Sequence, residues 1–160
     1  MNPSVVDALA VLAFWFGERD ERRAEWFRKD EAFDAAIRER FGAQVEAALA
    51  GGLREWDATP DGALARVLLL DQFTRNIFRG TPRAFAGDAL ALAAARAMVA
   101  RGDDQALPGL RRVFVYLPYE HAEDLREQDQ AVGLIGALGN AGYTDYALRS
   151  LIYLNVHSDQ

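Results

Sequence analysis

Two short polar runs interrupt an otherwise apolar sequence, and both carry side chains suited to acid–base or anion chemistry. In LLLDQFTRNIFRG, Asp71 precedes Arg75 and Gln72 precedes Asn76 by four residues, with Arg79 one turn further on. On a helix such pairs face each other, and an acid N-terminal to a base is the favoured order. Guanidinium groups fork onto carboxylates and phosphates. Arg75 and Arg79 could therefore clamp a small anionic ligand or a peptide end, with Asn76 and Gln72 orienting it and Asp71 holding Arg75. In LPYEHAEDLREQDQ, the second group is Glu120, His121, Glu123 and Gln128. Histidine titrates near neutrality and serves most often as general base. A hydrolase would use His121 in that role, Glu120 or Glu123 to orient it, and Arg75 to stabilise developing negative charge.

Three readings follow. In the first, the chain is a binding module whose ligand-contacting residues are Asp71, Gln72, Arg75, Asn76, Arg79, His121 and Gln128. In the second it is an enzyme with catalytic candidates His121, Glu120 and Glu123. In the third the polar groups only fix how helices pack, because an unpaired buried polar group costs ~1–3 kcal/mol and so enforces one arrangement.

Other chemistries are poorly served. A metal would need His121 with Glu120, Glu123 or Asp71, but His and Glu at i,i+2 point to different sides of a helix and the H-E-x-x-H spacing is absent. No metal and no cofactor are expected. The absence of cysteine removes disulfides, cysteine-ligated zinc and thiol catalysis. No G-x-S-x-G or glycine-rich phosphate loop occurs. A net charge of −6 opposes binding to a phosphate backbone, so nucleic acid is not an expected partner. The apolar run from Ala8 to Phe16 is too short to span a bilayer and lacks a preceding Lys or Arg, so we expect neither membrane insertion nor export, and a cytoplasmic address.

The elements that must position these groups are helices. Leu64, Val67, Leu68, Leu69, Leu70, Phe73, Ile77 and Phe78 cover nearly the whole circumference of one helix near residues 60–79, as in a helix enclosed by others. Thr59 followed by Pro60 starts it and Gly80 ends it. Before it, Ser4 opens an apolar helix closed by Gly17. Asp30 caps another, with core face Phe33, Ile37, Phe41, Val45 and Leu49, in which Gly42 marks either a kink or a break. After it, Asp88 begins an alanine-rich helix that ends at Gly102, Pro108 starts a short apolar segment, a helix runs from near Pro118 toward Gly139, and a last helix follows Thr144. On the helix from Pro118 the stripe His121, Leu125, Gln128, Val132, Ile135 and Gly139 is expected to face inward. No run alternates as a strand does, so the expectation is one all-α domain of antiparallel helical hairpins over residues 1–160. The aromatic patch Phe14, Trp15, Phe16, Trp26 and Phe27 is either core or a surface for a partner or a second copy.

The segments FWFG (14–17), WFRKDEAFDAAI (26–37), LLLDQFTRNIFRGTPRAFAGD (68–88) and VFVYLPYEHAED (113–124) resemble, in order and spacing, the bacterial domain of unknown function 924 family. The resemblance implies a tetratricopeptide-like helical fold in a bacterial protein and no known activity, although no strict 34-residue repeat is present. Thr74 stands where that family usually has proline, and Ala122 where it usually has serine. The family's C-terminal Arg-His pair and FGRFPHRN-like segment have no counterpart in ALRSLIYLNVHSDQ, where Ser150 takes the histidine's place.

Overall fold

The fold is built from why one helix can be buried on every side. In the computed structural model, which describes residues 3–140 apart from 19, 22 and 123, three consecutive segments form a continuous helix over 60–77. We call it α3. It follows α1 (Pro3–Phe16) and α2 (Glu31–Leu49) and precedes α4 (Asp88–Arg101), α5 (Gly109–His121) and α6 (Leu125–Asn140). Leu64, Val67, Leu68, Leu69, Leu70 and Phe73 of α3 are all fully buried. Burying each such side chain contributes ~1.5–3 kcal/mol, which makes α3 the element the others gather on. Its first half packs against α1, α4 and α5 and its second half against α2; α4 then packs on α5, and α5 on α6. The described residues contain no strand.

The start signals read from the sequence act through their atoms. The Thr59 hydroxyl accepts from the Gly62 N–H at 3.0 Å with Pro60 at the first helical position, and the Asp30 carboxylate accepts from the Phe33 N–H at 2.9 Å. Gly17, Gly80 and Gly102 each take positive φ just past a helix, the conformation in which glycine carries no Cβ penalty. Gly42 neither kinks nor breaks α2, which runs unbroken through it. Trp15, Phe16 and Trp26 of the aromatic patch are core: all three are buried, and Trp26 stacks on Trp15 at 5.7 Å and meets Phe114 of α5 edge-on at 5.0 Å.

Two expectations for the C-terminal half need correction. Pro118 does not start a helix but lies within α5, three residues from its end. An internal proline costs roughly 3 kcal/mol, yet Val113–Tyr119 are buried without interruption, and that packing holds the helix through it. The chain breaks instead at Ala122, so His121 and Leu125 sit on different helices and the inward stripe does not exist. Leu125 is 78% exposed and Val132 66% exposed, while Ala131 and Ile135 supply the buried face of α6. The helix expected after Thr144 lies outside the described residues.

Candidate functional site

The middle of α3 is not α-helical. Leu69–Phe73 winds as a single π-helical turn, which inserts one extra residue into the helix and is frequent at functional sites. Such a turn displaces backbone carbonyls from their usual i+4 N–H donors, and side chains take over here. The Thr74 hydroxyl donates to the Leu70 carbonyl at 2.9 Å, and Arg75 Nη1 donates to the Asp71 carbonyl at 2.7 Å. The result rotates Asp71 and Gln72 into the interior with no loss of helix continuity.

Asp71 is 0% exposed and accepts from three directions. His121 Nδ1 lies 2.7 Å from its Oδ1, Gln72 Nε2 donates to its Oδ2 at 2.8 Å, and Arg75 Nη1 stands 3.4 Å from Oδ1. Burial pushes the Asp71 carboxyl up, but the His121 charge and hydrogen bond, reinforced by Arg75 and Gln72, together hold it below the usual carboxylate range. The imidazole is equally enclosed, its side chain 1% exposed, and its Nε2 is buried with no hydrogen-bond partner among the described residues. The carboxylate that orients His121 is therefore Asp71, 50 residues away, and not its neighbour Glu120, which is half-buried with its carboxyl pushed up by burial against an opposing influence of His121. Glu123 lies outside the described residues.

Arg75 reaches a residue that the spacing alone did not suggest. Its Nη1 and Nη2 donate to Asp88 Oδ1 at 2.8 Å and Oδ2 at 3.1 Å, a fork across to the first residue of α4. Burial pushes the Asp88 carboxyl above its ordinary range, and the bonds to Arg75 offset only part of that. The approach of α4 depends on Gly87, where a Cβ would stand 2.2 Å from the Leu70 carbonyl oxygen.

Asn76 and Arg79 belong to a second centre. Asn76 Nδ2 donates to Asp34 Oδ1 at 2.8 Å, and Arg79 Nε to Asp34 Oδ2 at 2.8 Å, joining α3 to the first turn of α2. This divides the pair of arginines expected to clamp one anion: Arg75, within α3, reaches Asp88 on α4, while Arg79, just past the end of α3, reaches Asp34 on α2. Gln128 is also apart, its Nε2 donating to the Ala122 carbonyl at 2.9 Å and closing the turn between α5 and α6. Asp34 and Asp88 are the carboxylate partners that sequence reasoning missed. Asp88 was visible only as a helix start, and nothing in the spacing marks Asp34.

A cleft of about 680 Å³ adjoins the first centre, lined among others by Asp88, Leu92 and Arg96 of α4, by His121, and by Asp124 and Glu127. That volume is within the range of small-molecule sites. Arg96 and Glu127 form an ion pair across it. Asp71, Asp88 and His121 also offer ligand atoms that all lie within 4.8 Å of one another, a set that could hold a divalent cation. The Arg75 guanidinium, bonded to Asp88 and close to Asp71, already supplies positive charge at that point.

A family model described as a bacterial protein of unknown function (DUF924) matches residues 11–159. The chain belongs to that family. A solved structure titled as a protein of unknown function from Agrobacterium tumefaciens is 35% identical to this family member, with a TM-score of 0.81, and the match covers 98% of this chain and 86% of that one. No curated protein matches. Thr74, at the position where the resemblance leads one to expect proline, has a specific part in this member: its hydroxyl occupies the Leu70 carbonyl. No helix among the described residues is long and apolar enough to cross a membrane.

Proposed function

We propose that this protein binds a small molecule in the cleft beside α4 and α5, and that His121, held by Asp71, is the hydrogen-bonding centre of the site. The observation that carries the reading is the state of the imidazole. Nδ1 is bonded to a buried carboxylate at 2.7 Å while Nε2 is buried, unpartnered among the described residues, on a residue that lines the cleft. Leaving such an atom unsatisfied costs ~1–3 kcal/mol, and a ligand that bonds it recovers that cost. The π-turn under Asp71 supports the same reading, since it brings the carboxylate to the histidine at the expense of regular helix. An anion clamped between Arg75 and Arg79 is not part of the proposal, because each arginine is bonded to its own carboxylate. The Asp34–Asn76–Arg79 group reads as architecture that ties α2 to α3.

The same dyad supports a second reading, a hydrolase in which His121 takes a proton from an attacking water and Asp71 holds the tautomer and orientation. Successive packing of α3 on α4, α4 on α5 and α5 on α6 supports a tetratricopeptide-like arrangement for either.

The test is a thermal-shift screen of a chemically diverse small-molecule library on the parent and on His121→Leu, each measured against its own baseline. A ligand at about 100 times its Kd adds ~2.7 kcal/mol of stability. We expect compounds that raise the Tm of the parent by several degrees and leave the variant unmoved. Compounds that stabilise both equally, or a library with no stabiliser of the parent, would remove the reading.

A further inference from the structure

We infer that the ligand of the cleft carries an aromatic ring that stacks on Phe85, an inference that rests on the cleft being a ligand site. Phe85 is 41% exposed. Of the large exposed hydrophobic side chains among the described residues, Leu9, Phe85, Leu125 and Val132, it alone lines this cleft. The local pattern is inverted. In the 3-10 turn Pro82–Phe85 the small Ala84 is buried and the phenyl ring beside it is left out, although a buried phenylalanine contributes more to stability than a buried alanine. Core phenylalanines pair ring to ring, Phe14 with Phe33, Phe16 with Phe114 and Phe41 with Phe73, whereas Phe85 meets no other ring among the described residues.

The ring is held in place before any ligand arrives. Buried Ala84 anchors it on one side, and on the other Gly87 is pressed against the Leu70 carbonyl, where a Cβ would stand 2.2 Å from the oxygen. The Arg75 guanidinium stands over the ring, 5.5 Å from its centroid, and is itself fixed by the fork onto Asp88. Arg75 is not part of the lining, so it backs the ring from the α3 side and leaves ring surface turned to the cleft. A surface fixed in this way binds with less ordering cost. Ala89, Leu92 and Ala122 complete the apolar part of the lining. The alanines leave width for a flat group, and Leu92 gives it a second apolar contact. Among the charged lining groups Arg96 is paired with Glu127 and Asp88 with Arg75, which turns discrimination over to the apolar wall. A saturated group would bury the same area there, but only a ring adds the electrostatic attraction between aromatic quadrupoles.

The experiment compares benzyl alcohol with cyclohexylmethanol, which share a carbon skeleton and a hydroxyl and differ in aromaticity. Each is titrated by NMR into the isotope-labelled full chain and into Phe85→Leu, which keeps an apolar side chain at an exposed position and removes the ring. We expect benzyl alcohol to shift the signals of Phe85 and Leu92 and to bind about fivefold more tightly than cyclohexylmethanol, the scale of one aromatic pair. In Phe85→Leu the two should bind within about twofold of each other. Equal binding to the parent, tighter binding of cyclohexylmethanol, or a preference for benzyl alcohol that survives in Phe85→Leu would overturn the aromatic assignment while leaving the cleft as a ligand site. If neither alcohol moves Phe85 or Leu92, the aromatic assignment fails, and the library screen with His121→Leu decides separately whether the cleft binds anything.

Discussion

Replacing Asp71 by asparagine keeps the shape of a fully buried side chain and removes only its charge. In the parent the carboxylate takes His121 Nδ1 at 2.7 Å and Gln72 Nε2 at 2.8 Å on separate oxygens. An asparagine retains one acceptor and turns a donor toward the other partner, so at least one short charge-assisted bond is lost. Such a bond contributes ~1.5–3 kcal/mol. Arg75 keeps its fork on Asp88 and limits the damage. We expect a loss of about 2–3 kcal/mol at pH 7, or roughly 5–10 °C in Tm for a domain of this size. The pH dependence carries its own sign. The Asp71 carboxyl is held below its ordinary value of 3.8 in the folded protein, so the stability gained from its ionisation is complete above that value. It is lost as the pH falls through the depressed folded value. Asp88 is shifted the other way, which penalises its ionised form until the pH falls below its raised folded value; the Asp71 charge contributes to that shift, so part of the penalty is relieved in the variant. The gap between parent and variant should therefore be present at pH 7 and close at low pH, once Asp71 itself is protonated. Urea titrations at stepped pH, with the slope checked for two-state behaviour, measure this directly. A variant as stable as the parent at pH 7, or a gap that does not narrow in acid, would refute the argument that Asp71 is held ionised by its partners.

Further substitutions test separate parts of the account. Gly87→Ala places a methyl 2.2 Å from the Leu70 carbonyl oxygen and must push α4 away from α3; we expect ~2–4 kcal/mol of destabilisation in urea titrations, on the scale of an overpacked core, with loss of the Arg75–Asp88 fork in a crystal structure of any folded fraction. Thr74→Val removes the hydroxyl from the Leu70 carbonyl in a fully buried place and should cost ~1–3 kcal/mol by the same measurement. Leu125→Lys and Val132→Lys should each lie within about 0.5 kcal/mol of the parent, because both side chains are exposed, whereas Ile135→Lys should be severely destabilising. Arg75→Gln strips the positive charge from the Asp71–Asp88–His121 cluster, and Mn²⁺ or Zn²⁺ should then raise the Tm of the variant more than that of the parent.

Local signals in the sequence foretold the helices and missed what crosses between them. Thr59 with Pro60, Asp30, Gly80 and Gly102 each act on neighbours within four residues, so their effect was readable from spacing alone. The complete apolar circumference of α3 likewise announced a buried helix. The π-turn was hidden, because no propensity distinguishes Leu69–Phe73 from an α-helix, and it is stabilised by Thr74, Arg75 and the close approach of Gly87. Pro118 misled for the opposite reason: its local preference is to start a helix, and the burial of Val113–Tyr119 overrode it. That one error put His121 on the helix of Leu125 and placed Leu125 and Val132 on the buried face of α6, which Ala131 and Ile135 supply. At the site, Asp71, Arg75 and His121 were identifiable as polar groups in apolar runs. Their partners were not, since Asp88 lies 13 residues from Arg75 and Asp34 lies 45 from Arg79, separations at which only tertiary structure brings residues together.

The central claim is that the buried Asp71 carboxylate holds His121 through Nδ1 and that this histidine is the hydrogen-bonding centre of the cleft. The chain has two histidines, so His157→Gln leaves His121 as the single imidazole to observe. Long-range 1H–15N correlation of the neutral ring reads the tautomer directly. The account predicts a protonated Nδ1 and loss of that preference in Asp71→Asn. A neutral ring protonated at Nε2 would contradict it.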